Sequence, residues 1–176
     1  MQTTIDPAQE LEALARVLAE YEQLCSQGPT TLEHRAPELS GWSVAQHLYH
    51  AALATGLSLR NVTSLVRDKG RLVQDEGQIG ELAAKVLASE TTERGVSEAP
   101  RMVTPPDDVN PEFLAMELDS VTKEVRRLAE DPEAIRKAPR WIPHQDLGPL
   151  DASAWTRFTH LHGKHHLDIV RDLLQA

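Results

Sequence analysis

Four of the chain's eight histidines fall in the stretch "HLHGKHH" at residues 160–166. Two more lie in "GWSVAQHLYH" at residues 41–50. Imidazole is a common metal ligand and titrates near neutral pH, so such clustering raises metal chemistry first. His162 and His166 are one helical turn apart, which puts their Cβ atoms about 5–6 Å from each other on one face. Imidazoles so placed can converge on one ion at about 2.0–2.1 Å. On a helical wheel both fall within an apolar stripe, between Trp155 and Ile169. A buried imidazole needs partners for its nitrogens. A shared metal supplies them, and so do ordinary core hydrogen bonds; both readings stand at this point.

The same wheel separates the other two histidines of the cluster. His160 falls with Lys164, Asp168 and Arg171 on the polar side and reads as solvated. His165 falls on the stripe boundary, as a support for a ligand or as an exposed residue. A third ligand is wanted, and His50 is the first candidate because it shares an apolar arc with Leu53, Ala54 and Leu57. His47 is the alternative ligand or a supporting residue. His34 and His144 sit in connections and rank lower. Trp42 and Trp155 are candidates for a pocket beside the metal, or else core aromatics, and Trp141 and His144 for its mouth. Cys25, the single cysteine, reads as a buried small hydrophobe rather than a reactive thiol. No Ser-His-Asp set and no Gly-rich phosphate loop is legible, so no catalytic residue is named.

Four amphipathic segments must position these groups. The first spans Pro7 to Ser26, capped by Asp6, with Leu11, Leu14, Leu18, Tyr21 and Cys25 on one face. The second spans Val44 to Val66, opened by a Ser43/Gln46 capping box. It is apolar on two sides, as bundle helices are. The third spans Pro111 to Glu130 after an Asn110 cap, and the fourth Ala152 to Leu174 after an Asp151 cap. Between the second and third, "GQIGELAAKVLASET" reads as a short extra helix and "EAPRMVTPPDDVNP" as an ordered loop. "KAPRWIPHQDLGPLD" reads as irregular chain before the fourth helix. The expected fold class is all-α, a single four-helix bundle over residues 1–176 with long connections between helices 2–3 and 3–4.

Composition agrees and excludes several functions. Hydrophobic residues make up 40% and charged residues 26% of the chain, ordinary for a soluble globular protein. Aromatics are only 4%, which favours helices packed through Leu, Val and Ala. A net charge of −9 argues against nucleic acid and acidic membranes as partners. No apolar run approaches the ~20 residues of a membrane span. The first residues lack the basic and apolar regions of a signal peptide, so the expected location is the cytoplasm.

These motifs also resemble a family. "GWSVAQHLYH" resembles the helix-two signature of the DinB-like (YfiT-like) superfamily, in which Trp-Ser opens a helix and a metal-binding His follows eight residues after the Trp. That maps onto Trp42, Ser43 and His50, not His47. "HGKHH" is similar to the family's C-terminal HxxxH and maps onto His162 and His166. "PHQDLGPLDASAW" looks like an uncharacterised branch of it. The resemblance implies a four-helix bundle binding a divalent metal through three histidines, and a homodimer acting on a small molecule. Imidazole suits Zn, Ni, Fe and Cu, and Zn or Ni is the expected ion. Relatives include transferases that use bacillithiol or mycothiol, and a maleylpyruvate isomerase, so a low-molecular-weight thiol is a further implied cofactor. Many relatives continue the HxxxH with Arg-Gly-Gln; here Leu167, Asp168 and Ile169 follow, which weakens that carry-over. The expected function is a metal-dependent transferase or hydrolase. The alternative is a non-catalytic, stress-related binding module.

Overall fold

The computed structural model describes residues 5–92, 94–95 and 99–176. The chain is predominantly helical. Four long helices carry its core: α1 (Pro7–Cys25), α3 (Val44–Val66), α5 (Pro111–Ala129) and α7 (Ala152–Leu173). Among the described residues three short ones sit between them, α2 (Pro29–Leu32), α4 (Glu81–Ala88) and α6 (Pro132–Lys137), with one 3-10 turn at Arg101–Val103. No helix among the described residues is long and apolar enough to cross a membrane.

The helix starts follow from their caps. Asp6 accepts from the Ala8 amide, Asn110 from those of Glu112 and Phe113, and Asp151 from that of Ala154. Each satisfies amides that the first turn leaves without a partner. At α3 the capping box is complete, with the Gln46 amide donating to Ser43 Oγ and the Ser43 amide to Gln46 Oε1.

The largest packing contacts join α3 to α7 and α5, and α1 to the same two helices. Leu14 and Leu18 of α1, Leu48 and Leu59 of α3, Leu118 and Val121 of α5, and Val170 and Leu173 of α7 are buried in one connected core. Burying each Leu contributes about 1.5–3 kcal/mol. α1 and α7 approach closely at Gly163, where an added Cβ would stand in ordinary contact, 3.4 Å from Val17 and 3.5 Å from Leu14. The Tyr21 hydroxyl uses this closeness to donate to the Gly163 carbonyl at 2.6 Å.

The stretch expected to be irregular before α7 holds a small antiparallel hairpin, β1 (Ile142–His144) and β2 (Gly148–Leu150). Pro143 lies opposite Pro149. Prolines are tolerated there because residues in a non-hydrogen-bonded pair point their N–H positions away from the partner strand. The prolines hid the strands from a sequence reading. What holds the hairpin is tertiary: Ile142 and Leu150 are buried, and Trp155 Nε1–H donates to the Ile142 carbonyl at 3.0 Å.

Candidate metal centre

The α3–α7 contact brings together histidines more than a hundred positions apart. His50 lies two turns into α3, and His162 and His166 occupy successive turns of α7. One nitrogen from each lies within 4.8 Å of those from the other two. Ring centroids are 4.6 Å apart for His50–His166, 4.7 Å for His162–His166 and 5.2 Å for His50–His162. Trp42 packs 5.1 Å from His50 and near-parallel to His166, while Phe158 packs 5.8 Å from His162. His50 and His166 are buried, and His162 keeps partial access to solvent.

The hydrogen bonds around His50 define its proton. His50 Nδ1 lies 2.9 Å from the Val103 carbonyl. A carbonyl only accepts, so Nδ1 carries the hydrogen and a neutral His50 presents a bare Nε2. Outer partners of this kind orient metal-ligating histidines. That Nε2 is 3.3 Å from His162 Nε2. The nitrogen–nitrogen edge of a tetrahedral site with metal–nitrogen bonds of about 2.0–2.1 Å is about 3.3–3.4 Å. Without an ion, His162 must hold its proton on Nε2 and donate it across this gap.

Burial is the main electrostatic influence. It lowers the pKa of His162 to about 3 and that of His166 well below its ordinary value, with neighbouring imidazoles adding to both. Burial also lowers His50, against a smaller opposing effect of the Val103 carbonyl. All three are therefore neutral at pH 7, the state in which imidazole binds metal. The spacing, the neutral state and the oriented His50 fit a divalent ion: His50, His162 and His166 can hold one. Its identity does not follow from three imidazoles, which suit several transition metals.

The other singled-out residues divide clearly. His47 lies outside the three-histidine cluster; its Nδ1 is 3.0 Å from His166 Nδ1 and its Nε2 is 2.9 Å from Ser40 Oγ. His165 donates from Nδ1 to the Thr92 carbonyl at 2.9 Å and stands edge-on to His166. Trp42 touches His47, His50 and His166. Trp155 instead meets His144 and Phe158, one layer from the three histidines. His144 Nδ1 accepts the amides of Asp146 and Leu147, and His34 Nε2 donates to the Leu173 carbonyl at the end of α7. Trp141 exchanges backbone hydrogen bonds with Gln74. Cys25 is half-buried, and burial pushes its thiol up to about 11.

His160 departs from its expected solvated place. Its Nδ1 is 2.6 Å from Glu10 Oε2, and Arg157 binds the same carboxylate at 3.1 Å. Polar periodicity marks a face of α7, but α1 covers that face and supplies a carboxylate. Sequence reading also missed the Val103 carbonyl, Ser40 and Phe158. Every residue has a carbonyl, so nothing in the residue types singled Val103 out. Phe158 is an apolar residue on a helix that packs into the core, and nothing in its type marks it as the wall beside His162.

No curated protein and no solved structure matches the chain. The family model of the DinB superfamily matches residues 13–170, a span that includes all three clustered histidines and the four long helices but for their outermost residues. On that match the chain belongs to the DinB superfamily.

Proposed function

We propose that this chain is a metal-binding protein in which His50, His162 and His166 hold one divalent ion, Zn or Ni, within a four-helix bundle formed by α1, α3, α5 and α7. The observation that carries the reading is the meeting of three neutral imidazoles, with Nε2 atoms of His50 and His162 at 3.3 Å. Three protein ligands leave positions free for another molecule, which is the pattern of catalytic rather than structural sites. The reaction we favour is a transferase or hydrolase step on a small molecule in the cytoplasm, carried out by a homodimer. A bound ion supplies Lewis acidity, acidifying a water or thiol that meets it. The chain's own part is to keep the imidazoles neutral, to orient His50 through Val103, and to wall the site with Trp42 and Phe158. His165, fixed by the Thr92 carbonyl, holds the edge of His166.

A second reading is a non-catalytic binding module. What favours it is the all-imidazole cluster: among the described residues no carboxylate takes part in it. Elemental analysis of protein as purified, followed by a panel of thiols with electrophiles and of hydrolysable substrates, separates the readings. About one ion per chain, with turnover that His162→Ala abolishes, supports the enzyme. One ion without turnover supports the module. Less than about a tenth of an ion per chain that cannot be restored by reloading defeats both.

A further inference from the structure

The sequence left His47 open as a ligand or as a support for one. We infer that His47 is a positioning residue whose Nδ1 accepts the His166 proton, and that with Ser40 it forms a hydrogen-bond chain of fixed direction in the metal-loaded protein. The inference rests on the three-histidine reading above. His47 Nδ1 and His166 Nδ1 are 3.0 Å apart, so one proton lies between two nitrogens. His166 engages His47 through Nδ1, which leaves its Nε2 as the atom facing an ion. A neutral imidazole with a bare Nε2 carries its proton on Nδ1. His166 is therefore the donor and His47 the acceptor.

The order then propagates. A neutral His47 that accepts at Nδ1 carries its own proton on Nε2, 2.9 Å from Ser40 Oγ. Ser40 Oγ accepts this proton and also the Trp42 amide at 3.2 Å. The reverse order runs from the Ser40 hydroxyl to His47 Nε2 and from His47 Nδ1–H to His166 Nδ1. It puts a proton on His166 Nε2 and removes the ligand. The two orders contain the same number of protons, so the choice is one of direction and not of charge. His47 is 3% exposed, so water does not readily substitute for it. Ser40, itself held by the Trp42 amide, thus acts on the metal from outside the ligand set, through a residue that never touches the ion.

The test is zinc affinity, measured by competition with a chromophoric chelator, for wild type and three His47 variants. Asn places an acceptor near the position of Nδ1, Gln places its amide near Nε2, and Phe removes both. Loss of a supporting partner weakens metal binding about 10–100-fold. His47→Phe and His47→Gln should fall in that range, and His47→Asn should stay within about threefold of wild type. Nitrogen–proton correlation spectra of the zinc-loaded wild type should show His166 protonated on Nδ1 and His47 on Nε2, a readout that a merely structural role would not set. Undiminished zinc affinity in His47→Phe, equal losses in all three variants, or a His47 proton on Nδ1 in the loaded protein would overturn the inference. A wild type that binds no zinc would remove its basis, and that result differs from a variant that keeps wild-type affinity.

Discussion

Two regions of α7 use the same residue for different ends. His162 and His166 face α3 and meet another imidazole, His50. His160 faces α1 and meets a carboxylate, Glu10, shared with Arg157. The helix and the side chain are the same, so the partner decides the chemistry. Imidazole facing imidazole has a bare nitrogen to share and no counter-charge, which invites a cation. Imidazole facing a carboxylate already has its partner. Arg157 adds a structural task, donating to the Leu87 and Ser89 carbonyls at the end of α4. A dense run of histidines is thus two half-sites split by helical phase.

Mutation should separate the two regions most sharply. Alanine at His50, His162 or His166 should lower zinc affinity by more than about a hundredfold, beyond the loss expected for a supporting partner. Glu10→Ala should leave metal content at the wild-type level. It removes the acceptor of a half-buried Arg157 and His160 and should cost about 3 kcal/mol of folding stability. If Glu10→Ala also strips the metal, the two regions are not separate.

Acidification should expose the two regions in sequence. Burial depresses the folded-state pKa of His47 to about 4 and of His162 to about 3, against an ordinary value of 6.5. Between those limits the unfolded chain holds more protons, so stability rises with pH. The histidine contribution is complete above about 6.5 and is lost as pH falls toward 4. Glu10 is also depressed: burial, its largest influence, raises it, but the combined pull of His160 and Arg157 prevails. Its contribution is present above its ordinary value of 4.5 and disappears only below it. Thermal melts of metal-free protein should therefore decline already between pH 6.5 and 4.5. A flat profile over that window would contradict the buried, neutral histidine cluster.

The smallest effect belongs to the hairpin. Trp155→Phe loses the indole hydrogen bond to Ile142 and should cost about 1 kcal/mol. In a chain of this size that is a fall of about 2–4 °C in melting temperature. Zinc affinity should not change, because Phe158 lies between Trp155 and His162. A tenfold loss of zinc would show that the hairpin belongs to the centre after all.

Much of this was legible in the residues. Helix starts follow from local chemistry, so Asp6, Ser43, Asn110 and Asp151 mark them. The phase of His162, His166 and His50 was legible because apolar periodicity is a property of one helix at a time. The carbonyl of Val103, the hydroxyl of Ser40 and the partner of His160 were not. Each depends on which second element comes to lie against a helix, and residue type carries no signal for it. The hairpin escaped for a related reason: Pro143 and Pro149 speak against strands, and burial of Ile142 and Leu150 against α7 overrides them.

Anomalous scattering from crystals of zinc-loaded protein should show one peak per chain, bonded to Nε2 of His50, His162 and His166, with His47 behind His166 and Glu10 still on His160. Ordered histidines with no peak among them, and His162 hydrogen-bonded to His50 instead, would contradict the three-histidine centre.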